Sequence, residues 1–181
     1  MKIMIDAGHG PETKGKRSPD GRLREFHFNS PVAEEVKKLL MAMGHTVIFS
    51  HDLHQDVPLH ERTALANRLK MDIFVSIHAN AFGNSFNAAN GIETFTYSAA
   101  SAGTKRLGAF IHQALLLATG RRNRGQKQAD FAVLRDTRMP AVLIECGFMT
   151  NPEELALLKT DAYQKRCARA IAFGIDCYSR N

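Results

Sequence analysis

The order in which apolar runs alternate with amphipathic stretches constrains this chain more than any other feature. Runs with strand character occur at Lys2 to Asp6, His45 to Ser50, Asp72 to Ile77, Ile92 to Tyr97, Phe131 to Arg135 and Ala141 to Glu145. Elsewhere, helical patterns cover Ser30 to Met43, Leu59 to Lys70, Thr104 to Thr119, Glu153 to Lys159 and Asp161 to Tyr178. Gly44 and Gly120 stop two of these helices, and Asn151-Pro152 starts a third. Strands that alternate with helices need crossover connections, so the chain is expected to be α/β. Its sheet would be twisted, mainly parallel and six-stranded, with about five helices on both faces. The short polar turn Asp136-Thr137-Arg138 would allow the last two runs to form an antiparallel hairpin. A chain of 181 residues without repeats, low-complexity tracts or Pro/Gly-rich linkers reads as a single domain over 1–181, with no appended module.

Three of the runs deliver chemistry at their carboxyl ends. Asp6-Ala7-Gly8-His9-Gly10 closes the first, Ser76-Ile77-His78-Ala79-Asn80 closes the third, and Ala141-Val142-Leu143-Ile144 delivers Glu145. In an open α/β sheet, ligands gather outside the carboxyl ends of the strands. Two imidazoles and a carboxylate arriving there suggest a zinc hydrolase, since zinc takes nitrogen and carboxylate ligands and a catalytic ion keeps one position for water. Gly8 and Gly10 are expected to permit the tight backbone path around His9. The polar stretches Pro11 to Leu23 and Ala81 to Asn90 leave strand ends and are the natural walls of a cleft.

Composition narrows the function classes. A net charge of +6 would draw the protein towards polyanions such as nucleic acid, acidic lipid or bacterial cell wall. The densest basic stretch, Arg121-Arg122-Asn123-Arg124, lacks the interleaved aromatics of single-stranded nucleic-acid binders; it reads as a solvated loop or a substrate-facing patch. No apolar run approaches the ~20 residues that cross a bilayer. The first five residues already read as a strand, so synthesis in the cytoplasm without a signal peptide is expected. Three cysteines, Cys146, Cys167 and Cys177, have no paired spacing and suggest neither disulfides nor thiolate zinc; Cys146 should point away from Glu145 into the core.

Taken together, Asp6-Ala7-Gly8-His9-Gly10, Glu25 with Asn29, Arg62 with Ala66-Asn67, Ser76-Ile77-His78-Ala79-Asn80, Gly91-Ile92-Glu93 and Ile144-Glu145-Cys146-Gly147-Phe148 resemble the type-3 family of zinc-dependent N-acetylmuramoyl-L-alanine amidases. The resemblance runs in order along nearly the whole chain. It implies a twisted six-stranded α/β sheet and one zinc ion held by His9, Glu25 and His78, with Glu145 as the catalytic glutamate. It also implies cleavage of the amide between N-acetylmuramic acid and the L-alanine of the stem peptide in cell-wall peptidoglycan, by an autolysin or endolysin. Without the resemblance, Glu25 reads first as a solvated helix-start charge, and Glu145 reads equally as a structural salt-bridge partner.

Arg62, Asn80, Glu93 and Arg135 are candidates to orient ligands or hold substrate, since metal ligands need hydrogen-bond partners behind them. His51-Asp52-Leu53-His54-Gln55-Asp56, with His60-Glu61, is the densest group of metal-ligating side chains, yet it falls in a polar connection and reads as a solvated loop. His27 reads as a surface residue or a partner to the ligands, and His112 as a structural helix residue. The expected partner is cell-wall peptidoglycan, acted on by a monomer with no nucleic acid bound. Other readings are a zinc peptidase or deacetylase on a similar sheet, and a wall-binding module without catalysis.

Overall fold

The computed structural model describes residues 1–181. Six strands and six helices follow in the order β1 (Lys2–Ala7), α1 (Phe26–Ala42), β2 (Thr46–Phe49), α2 (Leu59–Arg68), β3 (Ile73–Asn80), β4 (Ile92–Thr96), α3 (Ala102–Thr119), β5 (Asn123–Gln128), α4 (Ala132–Arg135), β6 (Ala141–Phe148), α5 (Pro152–Leu158) and α6 (Asp161–Ser179). They build one sheet in the order β2-β1-β3-β6-β4-β5. β2, β1, β3 and β6 run parallel, β4 runs antiparallel to β6, and β5 runs parallel to β4. The expected α/β class and mainly parallel six-stranded sheet are therefore present.

Two sequence expectations differ from the structure. Phe131 to Arg135 is not a strand: all but its first residue forms the four-residue helix α4, whose Val133 and Leu134 are buried. A short apolar run satisfies either geometry, and here the second face of the sheet needed a cover. The strand counted there is instead Asn123–Gln128, which begins in the basic stretch read as a loop and runs four residues past it. It is an edge strand that only β4 pairs, so its polar side chains need no apolar alternation. The antiparallel partner of β6 is accordingly β4.

The two faces of the sheet are unequal. Alternate residues Ile3, Ile5, Ile73, Val75, Ile77, Val142 and Ile144 belong to a 33-residue cluster with α1, α3 and α6. Met4, Phe74, Ala141 and Leu143, on the opposite face, belong to an 8-residue cluster with Ala66 of α2 and Val133 and Leu134 of α4. Local signals place the helices: Ser101, Asn151 and Thr160 accept first-turn N–H bonds, and Gly120 ends α3 in the left-handed conformation at φ 62°. Because α2 and α4 are short, the upper end of their face stays uncovered. The same face carries Asp6, Ser76, His78, Glu93 and Glu145 above its apolar residues, since side chains alternate along each strand. No helix is long and apolar enough to cross a membrane.

Candidate metal centre

β1 and β3 are neighbours, yet the chain leaves β1 towards β2 on one side and β3 towards the rest of the sheet on the other. Such a switch point opens a crevice at the strand ends. His9 follows β1, and His78 lies near the end of β3. Glu25, the residue before α1, reaches the same point from above. One carboxylate oxygen lies 2.8 Å from His78 Nδ1 and the other 3.1 Å from His9 Nε2. One ligand atom from each of His9, Glu25 and His78 lies within 4.8 Å of the other two. Glu25 also accepts bonds from Asn29 Nδ2 and the Ala79 N–H. Burial opposes its charge, but the two imidazoles outweigh it and hold the carboxyl far below its usual range. His78 moves the other way: burial disfavours its cation, and the Glu25 carboxylate raises it.

A second set of contacts braces this group from below. Asp6 and Ser76 are register partners, as are His78 and Glu145. Asp6 is completely buried and accepts from the hydroxyls of Ser50 and Ser76 at 2.6 Å each and from Arg62 at 2.8 Å. Burial alone would raise its pKa, but Arg62 and the hydroxyls lower it. Ser76 Oγ lies 3.0 Å from His78 Nε2. A proton on Nε2 donates to that oxygen, so Asp6 and Ser76 hold the ring by the nitrogen that faces away from Glu25, while Nδ1 donates to the Glu25 carboxylate and would give up its proton to face a metal ion. His51 Nδ1 accepts the Ala7 N–H, and burial lowers the ring to about 4. His51 is thus a buried support for the end of β1, where a solvated loop was expected; His54 and His60 are exposed.

Arg62, from α2, is 2% exposed and donates to the Val57, Ala7 and His9 carbonyls as well as to Asp6. This clamp matters because His9, not its flanking glycines, adopts the left-handed conformation, at φ 63°. A non-glycine residue there is strained by roughly 1–3 kcal/mol, which surrounding bonds must offset. Neither Gly8 nor Gly10 has positive φ. Their role is space: a Cβ on Gly8 would meet the His78 ring, and one on Gly10 would meet the Asp56 carboxylate.

Glu145 lines the same cleft as the three ligating side chains. Burial raises its pKa to about 8; His78 lowers it, while the charges of Glu25 and Glu93 add to the rise. Its Oε2 is buried without a hydrogen-bond partner. Glu93 is its antiparallel partner on β4. Arg124, Lys127 and the Asn80 amide all donate to Glu93 and hold it ionised against the cost of burial. Arg62, Asn80 and Glu93 therefore pack around the centre. Arg135 stands apart: its guanidinium pairs with Asp130 and Asp136, and it lines a separate cavity with Tyr97 and Pro140. Sequence reasoning gave no role to Asp6, Ser76 or Ser50. A carboxylate inside an otherwise apolar strand was the available signal, because such a group needs a counter-charge.

Comparison with known proteins gives a consistent picture. A family model described as N-acetylmuramoyl-L-alanine amidase, type 3, matches residues 3–177. The N-acetylmuramoyl-L-alanine amidase AmiC of Neisseria meningitidis is 31% identical over 97% of this chain and 52% of its own length. LytC of Bacillus subtilis, also an N-acetylmuramoyl-L-alanine amidase, is 37% identical over 98% of this chain and 35% of its own. The chain thus spans about half of the first and a third of the second. The solved catalytic domain of the amidase CwlV from Bacillus (Paenibacillus) polymyxa superposes with a TM-score of 0.91 at 35% identity, covering 99% of this chain and 98% of that one.

Proposed function

This chain belongs to the type-3 N-acetylmuramoyl-L-alanine amidase family, and from that membership we propose that it hydrolyses the amide between the lactyl group of N-acetylmuramic acid and the L-alanine of the stem peptide in bacterial peptidoglycan. The observation that carries the proposal is the convergence of His9, Glu25 and His78 at a cleft that the Glu145 carboxylate also lines.

The donor set fits one zinc ion. Two imidazoles and one carboxylate match the nitrogen and oxygen ligands of hydrolytic zinc and leave a position for a further oxygen. Nε2 of His9 and Nδ1 of His78 each turn towards an oxygen of Glu25, so the three residues would converge on such an ion. When bound, zinc supplies Lewis acidity: it polarises a carbonyl and lowers the pKa of water from ~15.7 to ~7. The protein contributes the rest. Arg62, Asp6 and Ser76 hold His9 and His78 in place before substrate arrives. Glu145, as its carboxylate, takes a proton from the attacking water at Oε2. It then passes that proton to the departing L-alanine nitrogen, which cannot leave as an anion; such transfer contributes ~10²- to 10⁴-fold. A pKa near 8 in the metal-free protein falls when a cation sits nearby, which brings Glu145 into the range where it can both take and give a proton.

The test is product analysis on purified peptidoglycan. New amino termini should be those of L-alanine, dependent on bound zinc and abolished by chelation. Release of D-amino acids, acetate or reducing sugar ends in their place would replace this assignment with another wall hydrolase.

A further inference from the structure

Two cavities open from the metal centre, and His9, Lys16, His78 and Glu145 line both. One, of about 490 Å³, is walled by Arg17, Ser18, Asn80, Asn84 and Thr150. The other, of about 630 Å³, is walled by Val57, Pro58, Leu59, Phe131 and Val133. An amide that joins a sugar acid to a peptide has two unlike arms that leave the reacting carbon in different directions. Hydroxyl, amide and guanidinium groups suit a neutral polyhydroxylated ring, whereas the apolar part of the second wall suits an alanine methyl and the chain beyond it. The sugar arm is moreover a polymer, so its neighbouring rings must lie on the surface beyond the cavity.

That surface holds two outward-facing aromatic rings. Phe82 is 68% exposed and Phe86 45% exposed, on the segment between β3 and β4 whose Ala81, Gly83 and Asn84 line the polar cavity. Neither ring contributes to a core cluster. The segment is fastened in several places. Asn87 Nδ2 donates to the carbonyls of Phe82 and Ser85 at 2.6 and 2.9 Å, the Phe82 N–H donates to Thr150 Oγ1 at 3.1 Å, and the Asn87 N–H to the Thr150 carbonyl at 2.9 Å. The backbone is thus fixed while most of Phe82 and nearly half of Phe86 stay in water. Burying a phenylalanine side chain is worth roughly 1.5–3 kcal/mol, so a ligand that covers them gains what the fold leaves unused.

We propose that Phe82 and Phe86 are a stacking subsite for the pyranose rings of a glycan strand, and that the polar cavity beside them is the glycan arm of the cleft. The proposal rests on the amidase reading for the identity of the strand. The C–H face of a pyranose lies against a phenyl ring, and its in-plane hydroxyls reach the amide and hydroxyl groups of the cavity wall. Continuity with the metal centre sets the occupant: a strand that places its muramyl lactyl group beside Glu145 runs its next sugars over this loop. The second cavity is left for the stem peptide.

The test uses the zinc-loaded protein and glycan strands already stripped of stem peptides, which hold no bond for it to cut. Titration calorimetry should show binding, weakened by about tenfold in Phe82→Ala or Phe86→Ala, as for an aromatic anchor in an interface, and retained in Phe82→Trp. Since both side chains are exposed, thermal midpoints should stay put. On substrates, KM for stem-bearing strands should rise by a similar factor, with kcat for a single N-acetylmuramoyl-peptide unit unchanged. Absence of binding to stripped strands, or equal binding by wild-type and alanine variants, overturns the proposal. Phenylalanine-dependent binding without release of L-alanine amino termini from wall would support the subsite and overturn the amidase reading.

Discussion

Gly8 lies directly beneath the imidazole of His78: a Cβ placed on it would fall 2.0 Å from Cε1 and 2.3 Å from Nε2. No side chain fits there unless the ring moves. Gly8→Ala should therefore lose metal as His78→Ala does, although no donor atom has been removed. Metal analysis of the purified variant, with far-UV circular dichroism to confirm the fold, checks this; stoichiometric zinc in Gly8→Ala would show that the ring has another position.

The three converging side chains and Glu145 should separate cleanly. His9→Ala, Glu25→Ala and His78→Ala are each expected to purify without bound zinc and without activity. Glu145→Gln keeps the shape of the side chain and should retain one zinc per chain while kcat falls by ~10²- to 10⁴-fold. Metal content by mass spectrometry and turnover on purified wall, measured on the same samples, decide the roles.

Arg62 tests the support beneath the centre. Arg62→Ala strands the Asp6 carboxylate in a site only 1% exposed, and breaking a buried pair in this way is expected to destabilise the fold by about 3–5 kcal/mol. Arg62→Lys restores a charge for Asp6 but cannot reach the Val57, Ala7 and His9 carbonyls together, so the His9 turn loosens. A smaller loss of stability with a ~10- to 100-fold loss of zinc affinity is expected. Thermal unfolding and zinc titration read the two effects separately. Wild-type affinity in the lysine variant would remove the clamp from its role.

The pH dependence of stability has a definite sign. Glu145 has a folded pKa of about 8, above its unfolded value near 4.5. A group raised in this way stabilises fully below the unfolded pKa and loses that contribution as pH rises towards 8. In metal-free protein, Glu145→Gln should therefore leave the thermal midpoint unchanged at pH 4 and raise it at pH 8 to 9, on the order of 10 °C for a chain of this size. Calorimetry at the two pH values distinguishes this from an amide that is merely tolerated, which would give no pH-dependent difference.

What the sequence disclosed followed the strength of its physical signals. β1, β3 and β6 are buried on both faces and read as unbroken apolar runs, so their ends, and with them His9, His78 and Glu145, could be placed from pattern alone. β5 could not: an edge strand of Asn, Arg, Gly, Gln and Lys carries no alternation. Helix α4 misled because Phe131, Val133 and Leu134 are apolar over too short a span for periodicity to tell a turn of helix from a strand. Glu25 depended on the resemblance, since its convergence with the histidines comes from chain reversal after a long loop. Asp6 and His51 were hidden for another reason. The Asp6 carboxylate and Nδ1 of His51 are paired with groups 44 or more residues away, and such pairings leave no local trace.

The reversal of β4 has an evolutionary consequence. Because β4 runs against β6, the connection from β3 crosses the top of the sheet and never descends to its far end. Length can be added or removed between Asn80 and Ile92 with the hydrophobic interior untouched, and every such change lands on the rim of the cleft. Lineages that inherit this topology can retune what they grip, or lay a cover across the opening, by editing one surface segment while the chemistry below is conserved.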